Sequence, residues 1–436
     1  MYNVVGDDME ILIDRLDHQG RGIGYINDKI TFVENALPGE VVDVEIIKQN
    51  KKINEAIVKK YIKTSDKRIN SICPYYEKCG GCNILHLSYE EQLKYKENKI
   101  KEIMLRYASI DEDKIKPIIG SAKNINYRNK VTLKCNGKIG YHQRRTNDIV
   151  SIDYCFLAND KINNVIKELS KFDIEKEVDE IIIRDVNEDD LSLTLSLQTD
   201  KFNEKKFEKY KKLADSLTFK ASKKTYNLSG KSKIIGRLGE KKYKISSESF
   251  FQVNTLQTVS MYDKVLDYVK MYDKPKVLDL YCGTGTIGIY ISDYAKEVLG
   301  VEINPSAIKD AEINKELNGI KNIDFIVGDT KKVLHKNNFQ ADIVIVDPPR
   351  AGLDKEVIDD LFKINSNVII YVSCDPITLA RDLKLLNEKY EVKEITPLDM
   401  FPNTYHVETI VLLSREKVDD YIRISVHTKD LQTKAN

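Results

Sequence analysis

The residues that could do chemistry in this chain are a cysteine, several carboxylates and a glycine turn. Asn367-Val-Ile-Ile-Tyr-Val is apolar and rich in β-branched residues, which predicts a buried strand. It runs into Ser373-Cys374-Asp375-Pro376, and Thr378-Leu-Ala-Arg-Asp-Leu then opens a helix. Sheets of the α/β class bind ligands at the carboxyl ends of their strands. A thiol there is placed to act as a nucleophile, although a lone cysteine is more often a packed one. Upstream, Lys276-Val-Leu-Asp-Leu enters the turn Tyr281-Cys-Gly283-Thr-Gly285-Thr-Ile-Gly288. Small residues at such a turn let a nucleotide-like ligand approach the backbone. Three more strands end in acids. Glu302 closes Val-Leu-Gly-Val, Asp329 closes Phe-Ile-Val-Gly, and Asp347 closes Ile-Val-Ile-Val before Pro-Pro-Arg350. Glu302 follows the glycines by roughly twenty residues, the spacing of an acceptor for ribose hydroxyls.

A second chemistry is written in Cys73-Pro-Tyr-Tyr-Glu-Lys-Cys79-Gly-Gly-Cys82. Cysteines this dense, with two glycines that let the backbone bend round sulfur, form a metal-site signal. A fourth soft ligand is needed, and Cys155 is the first candidate, with Cys135 second. Four thiolates suit zinc and an iron–sulfur cluster alike.

The elements that must hold these groups can be read in order. Between about Glu10 and Lys63, short apolar strands alternate with turns, which suggests a small β-barrel. Lys48, Lys51, Lys52, Lys59, Lys60 and Lys63 gather late in it, either as a solvated face or as a grip on a phosphate backbone. From Leu87 to about Leu105 the pattern is an amphipathic helix, with Ser88 and Glu91 spaced as a capping box. Strands follow at Tyr127-Arg-Asn-Lys-Val-Thr-Leu, at Lys138-Ile-Gly-Tyr-His and at Leu191-Ser-Leu-Thr-Leu-Ser-Leu, whose alternation predicts a half-exposed sheet. Arg128, Lys130, Arg144 and Arg145 lie among Tyr127 and Tyr141, a mixture suited to single-stranded RNA or to a solvated edge. Phe250-Phe-Gln252 precedes a helix from about Thr255 to Lys270.

At 436 residues the chain has room for several domains, and its net charge of +1 leaves nucleic-acid binding to local patches. Seven cysteines, without a signal peptide or a membrane-spanning run, argue against a disulfide framework and for a cytoplasmic protein. The expected units are a barrel (1–64), a central domain (65–248), a doubly wound α/β domain (249–416) and a polar tail (417–436).

Gly20-Arg-Gly-Ile-Gly with Ala36-Leu-Pro-Gly-Glu resembles the TRAM domain of RNA-modifying enzymes. The glycine turn and the strand-end acids resemble S-adenosylmethionine-dependent methyltransferases of the Rossmann-like class. Taken with the cysteine triplet, Phe250-Phe-Gln-Val-Asn, Asp347-Pro-Pro-Arg-Ala-Gly-Leu, Ser373-Cys-Asp-Pro and His406-Val-Glu, the whole resembles the RNA uracil-C5 methyltransferases. Within them the ribosomal-RNA branch, with its TRAM domain and iron–sulfur cluster, is nearest. The resemblance implies Cys374 as nucleophile and Glu408 as general base. It implies Gln252, Tyr281, Gly283, Gly285, Glu302 and Asp347 around S-adenosylmethionine, which Asp329 joins as a strand-end acid. It further implies Cys73, Cys79, Cys82 and Cys155 on a [4Fe–4S] cluster. Phe250 is a candidate platform on which a splayed-out base would stack. In this fold the strand of Glu408 neighbours that of Cys374. The expected protein is a monomer acting on RNA, ribosomal rather than transfer, at a uridine of 23S RNA. A cytosine-C5 enzyme, which would carry Pro-Cys where Ser373-Cys374 stands, and an inactive RNA-binding relative are the alternatives.

Overall fold

The computed structural model describes residues 9–185, 191–198, 203–221, 224–230, 233–246, 250–336 and 339–415. The tail expected at 417–436 lies outside the described residues. The first unit has strands β1 (Met9–Leu12), β2 (Arg15–Leu16), β3 (Gly22–Ile26), β4 (Lys29–Glu34), β5 (Val41–Gln49) and β6 (Ile53–Lys63). They pair in the order β1-β5-β6-β4-β3-β2. Only Ile13 and Asp14 separate β1 from β2, the strands at the two edges, so one stretch of chain stitches the sheet shut. Closure into a barrel removes the open edges that would invite aggregation. Ile11, Val33, Val42 and Ala56 are among its buried core.

A helix, α1 (Tyr89–Ile103), follows the cysteine loop. Ser88 makes no capping hydrogen bond from its side chain. The capping box expected there does not form, because Glu91 is taken by two ammonium groups, Lys67 at 3.0 Å and Lys94 at 2.6 Å.

The central sheet contains β7 (Lys130–Asn136), β8 (Lys138–His142), β9 (Ile149–Ser151), β10 (Val178–Asp185), β11 (Leu191–Leu197), β12 (Ser216–Ala221) and β13 (Lys224–Ser229), in the order β13-β12-β11-β10-β7-β8-β9. A helix, α2 (Asp160–Leu169), packs on it through Ile162, Val165, Ile166 and Leu169. The alternation in β11 predicts a solvated face, but Thr194 is buried. Its hydroxyl and that of Thr218 on the neighbouring parallel strand satisfy each other at 2.7 Å, so a covered face tolerates them. A hairpin, β14 (Lys233–Leu238) and β15 (Lys241–Ser246), leads to the last unit.

That unit alternates helix and strand: α3 (Thr255–Lys270), β16 (Lys276–Leu280), α4 (Thr286–Ile291), β17 (Glu297–Glu302), α5 (Pro305–Leu317), β18 (Ile323–Val327), α6 (Thr330–Lys336), β19 (Ile343–Val346), α7 (Lys355–Ile364), β20 (Val368–Ser373), α8 (Pro376–Leu386), β21 (Tyr390–Leu398) and β22 (Glu408–Arg415). The sheet order is β18-β17-β16-β19-β20-β22-β21. Strands β16 to β20 are parallel, and β22 runs antiparallel between β20 and β21. All of β19 and β20 is buried, which explains their unbroken apolar runs. The loop from Asp399 to Val407 that delivers β22 is bolted to α1. Lys96 and Asp399, both fully buried, meet at 2.5 Å, and Lys99 Nζ donates to Tyr405 O at 3.0 Å.

Candidate active site

Cys374 follows β20 directly, and the turn around it is held from both sides. The Ser373 hydroxyl donates to Asp375 O at 3.0 Å and accepts from Asp375 N at 3.2 Å. The Asp375 carboxylate caps α8, accepting from Ile377 N and Thr378 N at 3.0 Å each. Ser373 pairs with Thr409, so Glu408 at the start of β22 lies beside Cys374 at the carboxyl end of β20. The adjacency expected of these two residues is therefore present in the sheet.

The electrostatics join them to Asp347. Burial pushes the Cys374 thiol up to about 11, and Glu408 and Asp347 add to the shift, while Arg350 opposes it. Burial, then Asp347, pushes Glu408 up to about 8, again against Arg350. Burial alone lifts Asp347 to about 7. Asp279, inside β16, is lifted to about 7 by burial and by Asp347 and Glu302, although the Gly288 N–H at 3.0 Å opposes this. Burial is thus the largest cause of the rise in all four groups, and Asp347 adds to it at Cys374, Glu408 and Asp279. A cationic ligand would relieve all four.

The glycine turn has the shape such a ligand needs. The Glu302 carboxylate accepts from Gly283 N at 3.2 Å and from Asn304 N at 2.8 Å. Gly283 sits at φ +55, and a β-carbon there would meet nothing within 4 Å. Open space therefore lies above its backbone. Gly285, at φ +75, would place a β-carbon 2.7 Å from the Phe325 ring, so packing is what demands glycine there. Asp279 Oδ1 is buried without a hydrogen-bond partner. Tyr281 stands at φ 62, and burial, with Asp354 and Asp329, lifts its hydroxyl to about 12. Asp329 accepts from Lys332 N at 3.1 Å at the head of α6.

Ahead of α3, Phe250 is 72% exposed, whereas Phe251 and Gln252 are buried. Phe251 packs against Tyr243. The two phenylalanines, indistinguishable by type, therefore divide into a surface ring and a core ring.

Cys73, Cys79, Cys82 and Cys155 line a single cavity of about 50 Å³. Burial raises the Cys73, Cys79 and Cys82 thiols, and the nearby Cys155 adds to each rise. Gly81 N donates to Cys79 Sγ at 3.4 Å, and the Tyr141 hydroxyl donates to Cys155 Sγ at 3.7 Å. Cys135 lies apart on β7, against the central core. Cys282 is buried in the glycine turn. Among the described residues, no three His, Cys, Asp or Glu side chains are gathered tightly enough to hold a metal ion as they stand.

Some expectations for the cations change. Arg144 is turned inward, donating to the carbonyls of Tyr76, Cys79 and Cys82 and to Asn35 Oδ1. A tight loop leaves carbonyls without partners, and this guanidinium supplies the donors. Arg145 is paired with Glu34 at 2.9 Å. Lys130 is half-buried, and burial followed by Arg184 lowers its ammonium to about 8. In the barrel, Lys48 and Lys59 pair with Glu55 and Asp43 at 3.4 Å each, while Lys51, Lys52, Lys60 and Lys63 are exposed.

Three residues of the quoted motifs had no role of their own in the sequence. Arg350 is the cation that faces Cys374 and Glu408. His406 is lowered to about 4 by burial and by Arg350, Lys99 and Lys96, so it is a neutral imidazole beside the site. Asp279 carried a signal that could have been read, an acid inside an otherwise apolar strand that runs into a glycine turn.

A family model described as tRNA (uracil-5-)-methyltransferase matches residues 88–416, and one described as TRAM domain matches residues 4–59. The chain is 38% identical to an uncharacterised RNA methyltransferase of Clostridium acetobutylicum, over 94% of this chain and 97% of that protein. An uncharacterised RNA methyltransferase of Halalkalibacterium halodurans is 33% identical over 93% of this chain and 97% of its own. Among solved structures, the tRNA (uracil-54, C5)-methyltransferase of Pyrococcus abyssi, in complex with S-adenosyl-L-homocysteine, superposes with a TM-score of 0.73. It is 28% identical and covers 93% of this chain and 100% of that one.

Proposed function

The chain belongs to the tRNA (uracil-5-)-methyltransferase family and carries a TRAM domain, and from that premise we propose that it methylates C5 of a uridine in RNA by way of a covalent bond from Cys374. The observation that carries this reading is that Cys374, just past β20, and Glu408, at the start of the neighbouring β22, share one pocket with Asp347 in which Glu408 and Asp347 act on the thiol. C5 of uracil is a weak nucleophile. The Cys374 thiolate adds to C6, and the C5–C6 π electrons move through C4 onto O4. The enolate then presents an electron-rich C5. S-adenosylmethionine, when bound, supplies a positively charged sulfonium methyl group. Once C5 carries the methyl, Glu408 removes the C5 proton, the C6–S bond breaks, and the thiolate leaves as the ring double bond returns. Arg350 moderates the negative charge of this pocket. Glu302 and the open backbone at Gly283 receive the donor with Tyr281, Gln252 and Asp347, and Asp329 flanks Tyr281. Phe250 offers an exposed ring to the displaced base.

Cys73, Cys79, Cys82 and Cys155 fit a [4Fe–4S] cluster in donor chemistry, being four thiols around one cavity. When bound, the cluster would cross-link the 73–82 loop to the segment of Cys155, and no step of methyl transfer runs through it. We further read the substrate as ribosomal RNA, on the TRAM domain and the four-cysteine site together, and the protein as a cytoplasmic monomer. The likeness to the archaeal enzyme favours transfer RNA as a second reading. Among the described residues, no helix is long and apolar enough to cross a membrane.

The test is Cys374→Ala, which should abolish methyl transfer and keep S-adenosylhomocysteine binding. Turnover close to that of the parent protein would sink the nucleophile. Nucleoside mass spectrometry of ribosomal and transfer RNA fractions from a deletion strain, looking for the fraction that loses 5-methyluridine, separates the two substrates. Loss of 5-methylcytidine instead would overturn the uracil reading.

A further inference from the structure

Arg128 is the one charged residue other than cysteine that lines the four-cysteine cavity. Its Nε is shut away from solvent and has no hydrogen-bond partner. A buried guanidinium nitrogen without an acceptor is costly unless negative charge arrives beside it. Four thiolates would bring that charge.

The backbone around Arg128 leads elsewhere. Arg128 N donates to Leu157 O at 2.8 Å, and Asn159 N donates to Arg128 O at 3.0 Å, which anchors the residue next to the segment of Cys155. Asn129 N donates to Val253 O at 2.8 Å. The Asn129 side chain donates to Gln252 O at 3.0 Å and to the Thr255 hydroxyl at 2.9 Å. On the other side, the Tyr127 hydroxyl donates to Pro402 O at 3.1 Å, in the loop that delivers Glu408. Three consecutive residues therefore touch the cysteine cavity, the loop of Phe250 and Gln252, and the loop ahead of the catalytic carboxylate.

We propose that Arg128 is the counter-charge of the four-cysteine site and that Tyr127–Asn129 transmits the occupancy of that site to the donor and base loops. The inference rests on the cluster reading above. Arg128 is a positioning residue here and touches neither donor nor uracil. With the cluster in place, the guanidinium is satisfied and the tripeptide is fixed. With the cluster lost, the guanidinium keeps only its neighbouring Tyr127, and the tripeptide whose Asn129 holds Gln252 is less firmly fixed.

The experiment uses full-length, cluster-loaded protein with Arg128→Met and Arg128→Lys. The midpoint potential is read by a spectroscopic redox titration. Binding of S-adenosylhomocysteine is read with and without iron. Removing a positive charge disfavours the reduced cluster, so Arg128→Met should titrate at a more negative potential, and Arg128→Lys should restore most of the parent value. Iron removal should weaken S-adenosylhomocysteine binding severalfold in the parent protein, a comparison that needs no variant to fold. In Arg128→Met the same removal should change binding little. An iron-loaded Arg128→Met with the parent potential overturns the counter-charge. Equal S-adenosylhomocysteine affinity with and without iron overturns the transmission. Protein prepared without oxygen and lacking iron–sulfur absorption overturns the cluster reading itself, and this inference with it.

Discussion

Glu408→Gln should make Cys374 a more reactive thiol and the protein a far poorer enzyme. The thiol is held at about 11 by burial, Glu408 and Asp347. Glu408 itself titrates at about 8, so it carries its charge at the pH where the thiol ionises. Ser373 faces Thr409 in the last pair of the ladder, and carrying that register one residue further would set Cys374 opposite Glu408. Facing residues in antiparallel strands hold their β-carbons roughly 5 Å apart. At an effective dielectric of about 20, two unit charges at that range interact by roughly 3 kcal/mol. Cys374 is only partly buried, and screening reduces this to about 1.4 kcal/mol, one pKa unit. The thiolate fraction should therefore rise only about twofold near pH 8, where Glu408 is half ionised, and severalfold, approaching tenfold, at higher pH. Iodoacetamide labelling of Cys374 in RNA-free protein, followed by mass spectrometry across pH, reads this directly. Turnover should fall by roughly 10²–10⁴, the range for losing a general base, and a Cys374–RNA adduct should persist on denaturing gels. An unchanged labelling profile would refute the charge coupling. Loss of labelling together with turnover would refute the assignment of Glu408 to the C5 proton, because it would place Glu408 upstream as the activator of the thiol.

Other perturbations follow from the same geometry. In the parent protein, the rate of release of the methylated RNA from the Cys374 adduct should rise with pH through about 8 as Glu408 loses its proton and fall away below it, and a release rate flat through that region would contradict the base. Phe250→Ala should raise the RNA KM by roughly 5- to 150-fold, matching about 1–3 kcal/mol of stacking per base, with S-adenosylhomocysteine affinity unchanged; equal losses in both would point to a folding defect. Lys96→Met strands the fully buried Asp399 and should cost about 3–5 kcal/mol in urea unfolding; the pair Lys96→Met with Asp399→Leu should recover most of that, and a double variant no better than the single would show that the charges are not what matters. Gly285→Ala meets Phe325 and should lower the melting temperature more than Gly283→Ala, which should instead weaken S-adenosylhomocysteine binding more; the reverse ranking would exchange the roles of the two glycines.

The strand-end acids were legible because they are local. Each of Glu302, Asp329 and Asp347 closes an apolar run and so marks a strand end without any partner being known. Cys374 was legible in the same way, and Glu408 only through the resemblance. What stayed hidden was long-range. Lys96 and Asp399 lie 303 residues apart, and nothing near either shows that one will neutralise the other. Arg144 resembles any surface arginine in a turn, yet it serves the carbonyls of a loop more than sixty residues upstream. The capping box at Ser88 failed for a related reason, since a lysine from outside the helix competes for Glu91. The resemblance supplied the residues, and packing supplied the reasons they stand where they do.

The insertion of β22 between β20 and β21 has a consequence for synthesis. Cys374 is translated before Glu408, and Glu408 rides on the last strand among the described residues. Until that strand slots in, β20 lacks one neighbour, and Cys374 borders a gap in the sheet. A chain still emerging from the ribosome thus holds the thiol before the carboxylate that the proposed mechanism pairs with it. Insertion closes the gap and brings the carboxylate beside the thiol in one event, so on the proposed mechanism the pair is assembled by the last step of folding the sheet.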